Sequence, residues 1–179
     1  IGLETYIAAR KMTDRDATLD KKRFHLLLLA QNQTGYLNLL KTASAAQLDG
    51  YYYKPRVDRD FLASHAEGLI ATTGCMAAEI PQALLNNNVP LAKRLMGQYL
   101  DIFGKDNFFV EFQEHHIPEL TDLNRKLLEL APHFGLEKNY IATNDVHYTR
   151  AEDADPHEVL LCIQTSSTVN APKLTFSDK

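Results

Sequence analysis

The stretch Ala142-Thr143-Asn144-Asp145-Val146-His147-Tyr148 carries a carboxylate and an imidazole two positions apart, behind an apolar, β-prone approach. In extended backbone, residues i and i+2 project to the same side, so Asp145 and His147 can reach a single metal ion. The end of a strand in an α/β protein is also where ligands usually bind. The competing reading is an aspartate that closes a turn, with His147 exposed beside it.

Other residues could join such a site. Cys75 follows the strand-like run Leu69 to Thr73 and a glycine. A thiolate there is a soft ligand suited to zinc, whereas a small cysteine packed in the interior is the alternative. Cys162 falls on the apolar face of a helix and reads as core. His25 opens the run Leu26 to Ala30, either as a ligand or as a hydrogen-bonded core histidine. Glu4 sits near the end of a first strand, as a ligand or a solvated carboxylate. Glu111, Glu114, His115 and His116 form a second cluster. Glu111 lies inside a strand and can face inward, and Glu111 and His115 are expected to support the ligands rather than to be ligands. His65, His133 and His157 read as surface helix residues. Tyr51-Tyr52-Tyr53-Lys54-Pro55-Arg56 mixes aromatics with cations, which can stack on bases and hold phosphates. Anchoring a loop onto the domain is the reading favoured for it.

These side chains must be positioned by alternating strands and helices. Strands are expected at Gly2 to Ala8, His25 to Ala30, Leu69 to Thr73, Phe108 to Phe112 and Tyr140 to Thr143. Helical spacing marks Gly35 to Gln47, Asp60 to Ala66, Leu91 to Phe103 after Pro90, and Glu119 to Phe134 up to Gly135. Ala77 to Leu85 contains Pro81 and is expected to be short or broken. The last helix is expected to start with Asp155 as N-cap, Pro156 in its first position and Glu158 as the acidic partner. Met12 to Lys22 reads as a charged, mobile loop. The strand–helix–strand order from Phe108 to Thr143 is a parallel crossover unit, which favours a βα barrel or an open parallel sheet.

A chain of 179 residues suits one compact domain. With 45% hydrophobic and 23% charged residues it matches an ordinary soluble protein, and no segment is apolar enough to span a membrane. Two cysteines far apart in the sequence do not read as a disulfide framework, so a reducing cytoplasm is the expected compartment. A net charge of −4 argues against a broad DNA-binding face but leaves room for a small phosphate pocket. The start, Ile1-Gly2-Leu3-Glu4, has no initiator Met and reads like the end of a buried strand. The chain is therefore expected to be a piece of something longer, and Thr175 to Lys179 show no closing element.

Seven segments occur in a distinctive order: Gly2-Leu3-Glu4-Thr5-Tyr6, Phe24-His25-Leu26-Leu27-Leu28-Leu29-Ala30, Gly50-Tyr51-Tyr52-Tyr53-Lys54-Pro55-Arg56, Gly74-Cys75-Met76-Ala77-Ala78-Glu79-Ile80-Pro81, Phe109-Val110-Glu111-Phe112-Gln113-Glu114-His115, Ala142 to Tyr148, and Leu160-Leu161-Cys162-Ile163-Gln164-Thr165. As a set they resemble the PHP (polymerase and histidinol phosphatase) domain family, in the branch found in the α subunit of bacterial DNA polymerase III. The resemblance covers nearly the whole chain. It implies an α/β fold, a partial distorted βα barrel of TIM-like type with its first strands missing, as a single PHP domain fragment over residues 1–179. It places metal ligands at Glu4, His25, Cys75, Asp145 and His147, with zinc, manganese or magnesium as the divalent ion, and a cysteine at one ligand position is a mark of this branch. The family's His-x-His motif and the Asp and His ligands after it are expected upstream of Ile1, and the polymerase region downstream.

The resemblance carries three functional expectations. The first is a multi-metal phosphoesterase site performing 3′–5′ exonucleolytic proofreading in the intact DNA-directed DNA polymerase. The second is a non-catalytic scaffold that docks a separate proofreading exonuclease and stabilises the polymerase. The third is a stand-alone phosphatase of small esters, which the Tyr-Lys-Pro-Arg and Cys75 segments disfavour. DNA and other replicase subunits are the expected partners, and the fragment alone is expected to be inactive.

Overall fold

The computed structural model describes residues 1–173, and Thr175 to Lys179 lie outside the described residues. The chain divides into two compact units, Ile1–Asn144 and Asp145–Lys179. The first is a mixed α/β unit built on a six-stranded sheet of order β3-β1-β2-β4-β5-β6. Its strands are β1 (Gly2–Ala8), β2 (Arg23–Ala30), β3 (Arg56–Val57), β4 (Leu69–Thr72), β5 (Phe108–Phe112) and β6 (Tyr140–Ala142). β1 pairs antiparallel with β2, and β2 antiparallel with β4, while β4, β5 and β6 run parallel. The sheet ends at β3 and β6 rather than closing on itself, as a partial distorted barrel would. The parallel crossover expected from Phe108 to Thr143 is present.

Five helices serve this sheet: α1 (Gln33–Leu48), α2 (Arg59–His65), α3 (Glu79–Leu85), α4 (Val89–Phe103) and α5 (Pro118–Leu130). Alternation decides which face of the sheet they cover. Ile7 of β1 and Leu26 and Leu28 of β2 are buried in one core with Leu39, Leu62, Leu84, Met96, Phe108, Val110 and Leu127. Their odd-and-even neighbours Glu4 and Tyr6, and His25 and Leu27, project to the other face and stay at least partly accessible. That more open face is where the ligand candidates of β1 and β2 lie.

Helix boundaries follow local chemistry. α1 starts before the expected Gly35 because Asn32 caps it, accepting from Gly35 N at 3.0 Å. Pro81 falls in the first turn of α3, where an N–H has no partner within the helix, so the helix is short but unbroken. The helical spacing predicts α5 as far as Phe134, but the α-helical part stops at Leu130 and a 3-10 turn continues over Ala131–Phe134. Pro132 supplies no N–H there and its ring crowds the preceding turn.

The expectation of a mobile Met12–Lys22 loop is corrected by a buried arginine. Arg56, with no exposed surface, donates from Nε to Gly50 O (3.1 Å), from Nη1 to Asp20 O (2.9 Å), and from Nη2 to Met12 O (3.1 Å) and Asp14 O (2.9 Å). The guanidinium fork thus gathers both ends of the loop, which confirms the anchoring reading of the Tyr-Lys-Pro-Arg segment. Gly50 approaches so closely that a Cβ would lie 1.8 Å from Arg56 O, so only glycine fits. A second anchor is Asp20, 1% exposed, which takes two bonds from Arg10 (2.8 and 2.6 Å) and one from Asp16 N (2.7 Å).

Those donors, the Arg10 guanidinium first, hold the Asp20 carboxyl down at about 2. Its folded pKa lies below the ordinary value of about 3.9, so the unfolded chain binds the proton more readily. The stabilisation is therefore complete above about pH 4 and is lost as pH falls through about 2. Melting temperatures measured between these limits should fall less steeply for Asp20→Asn than for the parent. Parallel profiles would remove Asp20 from the acid response.

The second unit contains a 3-10 turn (Ala151–Asp153) leading into α6 (Ala154–Thr165). The expected start of this helix is corrected. Its N-cap is Asp153 rather than Asp155, and Asp155 and Pro156 lie inside the first turn, another position where proline costs no helical bond. Asp153 Oδ2 instead accepts from Arg150 N at 3.0 Å, closing the 3-10 turn. Cys162 is buried, as its place on the apolar face implied.

Candidate metal centre

β1 and β2 bring Glu4 and His25 together through their register. Tyr6 stands opposite His25 and Glu4 opposite Leu27, so Glu4 and His25 are diagonal neighbours on one face. Glu4 Oε1 lies 3.2 Å from His25 Nδ1. The Tyr6 ring meets the imidazole edge-on, with centroids 5.1 Å apart, and fixes its plane.

Cys75 reaches the same nitrogen from β4. Gly74, with φ of 75°, turns the chain out of the strand in a conformation open to glycine. His25 N then bonds Ala77 O at 3.2 Å, drawing the turn against β2. Cys75 Sγ consequently lies 3.5 Å from His25 Nδ1. Sequence separation of 71 residues between Glu4 and Cys75 is thus bridged by two strand pairings and one glycine turn.

The donor set can be compared with a tetrahedral ion. With bonds of about 2.0–2.1 Å to N or O and about 2.3 Å to S, neighbouring donors would stand roughly 3.3–3.5 Å apart. The two pairwise spacings at His25 Nδ1, 3.2 and 3.5 Å, come close to that requirement. A carboxylate, an imidazole and a thiol are also suitable chemistry for zinc. The shared atom is a single nitrogen, however, and among the described residues no three His, Cys, Asp or Glu side chains gather closely enough to hold an ion by themselves.

Asp145 and His147 belong to the second unit. The extended backbone expected of this pair is corrected. β6 ends at Ala142, and Asp145 has φ of 47°, a left-handed conformation that a short polar side chain tolerates. Simple i, i+2 alternation therefore does not set their directions. His147 Nδ1 instead lies 2.6 Å from the backbone carbonyl of Asp145. His147 Nδ1 donates to that carbonyl, and the bond fixes the orientation of the ring. His157, read from sequence as a surface residue, is half-buried and stands beside this segment, with ring centroids 6.2 Å from His147 and 5.3 Å from Tyr148.

Behind the strand ends of the first unit lies a buried polar clip. Glu111, 4% exposed, accepts from Thr72 Oγ1 of β4 (2.5 Å), from Thr143 Oγ1 just past β6 (2.5 Å) and from Gln113 Nε2 (2.9 Å). Its own N–H donates to Thr73 Oγ1 at 2.9 Å. The inward orientation expected of Glu111 is present, and Thr72, Thr143 and Gln113 are partners that sequence patterning did not single out. Glu114 accepts from His116 N (2.8 Å) and Thr121 Oγ1 (3.3 Å), so it closes the turn into α5. His115 is half-buried in that turn.

Comparison with known proteins supplies a relationship. Residues 1–115 match the family model described as PHP domain, a span that holds Glu4, His25, Cys75 and Glu111. The DNA polymerase III subunit alpha of Thermus aquaticus is 49% identical over 97% of this chain and 14% of that protein. The subunit alpha of Treponema pallidum is 41% identical over 96% of this chain and 15% of that protein. That of Deinococcus radiodurans is 40% identical over 94% and 13%. The chain therefore spans about a seventh of the length of these relatives.

Proposed function

The chain belongs to the PHP domain family, and on that premise we propose that it is the metal-dependent phosphoesterase module of a replicative DNA polymerase subunit. Its reaction in this reading is hydrolysis of the terminal phosphodiester at a DNA 3′ end, the chemistry of proofreading. The residues that would hold divalent metal are Glu4, His25 and Cys75 in the first unit and Asp145 and His147 in the second. The observation that carries the proposal is the spacing of a carboxylate oxygen and a sulfur around His25 Nδ1, at 3.2 and 3.5 Å. A divalent ion supplies Lewis-acid polarisation of a phosphoryl oxygen and activation of water near neutral pH.

The chain's own residues supply orientation. Tyr6 and the Glu4 carboxylate hold the His25 ring, and Gly74 aims Cys75 at it. The Asp145 carbonyl accepts from His147 Nδ1 and orients its ring. Glu111 ties together the ends of β4, β5 and β6. DNA and further replicase subunits are the partners in this reading, and a cytoplasmic setting follows from it. Among the described residues, no helix is long and apolar enough to cross a membrane.

A second reading is a scaffold that docks a separate proofreading exonuclease and stabilises the polymerase. The observation favouring it is that, although Glu4 and Cys75 both approach His25, no group of three His, Cys, Asp or Glu side chains among the described residues could hold a metal ion. Metal analysis of the full-length protein separates the two. The phosphoesterase reading expects bound divalent metal and release of 3′ nucleotides from DNA, with at least about a hundredfold loss after chelation and recovery on adding zinc or manganese. Metal-free protein with no hydrolysis would leave the scaffold reading.

A further inference from the structure

The opposite face of β2 borders a second site, independent of the metal chemistry. Phe24 alternates with His25 and projects with Leu26 and Leu28 toward the helical layer. There a groove of about 740 Å³ opens between the start of β2, α2, α3 and α4. That volume is typical of sites for small ligands. Lys22, Arg59 and Arg94, from three separate segments, line it together with Phe24, Glu79 and Gln98.

The charges in this groove do not cancel. Glu79 is already engaged by Arg59 and by the Tyr99 hydroxyl, which donates to its Oε2 at 2.6 Å. Lys22 stands over the Phe24 ring, 5.1 Å from its centroid, and neither Lys22 nor Arg94 pairs with a carboxylate among the described residues. Arg59 Nε is buried and lacks a hydrogen-bond partner among those residues. A buried donor of this kind calls for an acceptor. In a chain of net charge −4, cations left uncompensated around one concavity mark an anion site.

We propose that this groove binds a nucleotide-sized phosphate ester, with Lys22 and Arg94 receiving the phosphate, the Glu79-paired Arg59 offering at most its unpartnered Nε, and Phe24 walling the apolar part of the ligand. Arginine forks and lysine ammoniums are the side chains suited to phosphate oxygens. The site lies across the sheet from Glu4 and His25, so it does not depend on the metal reading.

The test is calorimetric titration of the full chain with deoxyadenosine monophosphate, in chelator so that no metal contributes. Binding should weaken as salt is raised, and the Lys22→Gln/Arg94→Gln pair should lower affinity by about tenfold or more. Both residues are exposed, so the pair should melt with the parent, and a melt that differs is met by testing each single variant. Inorganic phosphate binding as tightly as the nucleotide would overturn the nucleotide-sized site and the role given to Phe24. Deoxyadenosine binding as well as its monophosphate, or unchanged affinity in the charge variants, would overturn it. So would binding seen only with long single-stranded DNA, which would mark a diffuse polyanion surface.

Discussion

Replacing Arg56 with Met should destabilise the protein by about 3–5 kcal/mol, the outcome of several orphaned carbonyls at about 1–3 kcal/mol each less the desolvation cost that leaves with the guanidinium. The reason is the number of acceptors that one side chain serves. Carbonyls of Met12, Asp14, Asp20 and Gly50 all receive Arg56 N–H groups, and the side chain has no exposed surface. Methionine fills much of the volume but donates nothing, and each orphaned carbonyl costs about 1–3 kcal/mol unless water reaches it. Removing the guanidinium's own desolvation penalty offsets part of that sum. Lysine should recover less than half, because a point ammonium cannot match a planar fork spread over four oxygens. Thermal melting should show a drop of about 10 °C or more for Arg56→Met. A change of only a degree or two would mean that the loop holds its place without the arginine.

The largest functional effect is expected at His25. Its Nδ1 is the atom that both Glu4 and Cys75 approach, so no other single change removes both spacings. In the phosphoesterase reading, His25→Ala should lower metal-dependent 3′ hydrolysis by the full-length protein at least about a hundredfold, since even residues that merely orient a ligand are worth 10–100-fold. Metal content should fall in parallel. His25 is only partly buried, so melting in chelator should change little, which separates loss of ligation from loss of fold. Parent-like hydrolysis together with parent-like metal content would dismiss His25 as a ligand.

Much of the framework was legible because strands here are short, apolar and cleanly punctuated. The expected limits of β1 and β5 match the structure, and β2, β4 and β6 differ only at their ends. β3 escaped notice because two residues carry no period, and its existence depends on pairing with Tyr6 and Ile7 of β1. The anchoring role of the Tyr-Lys-Pro-Arg segment was legible, but not that Arg56 carries it by full burial, because that burial arises from carbonyls as distant as Met12 and carbonyls have no sequence signature. The diagonal meeting of Glu4 with His25 required the β1–β2 register, which alternation alone does not set. The backbone at Asp145 was misread for the opposite reason: an apolar approach suggested extension, while the left-handed conformation is a local choice that aspartate permits.

The Glu111 clip also constrains how this sequence can diverge. One carboxylate satisfies hydroxyls contributed by positions 72 and 143, whose isosteric valine replacements would each abandon an acceptor in the interior. Drift at any of the three sites narrows the choices at the others, so lineages should change them as a group, or retain serine or threonine at both flanks for as long as the glutamate persists.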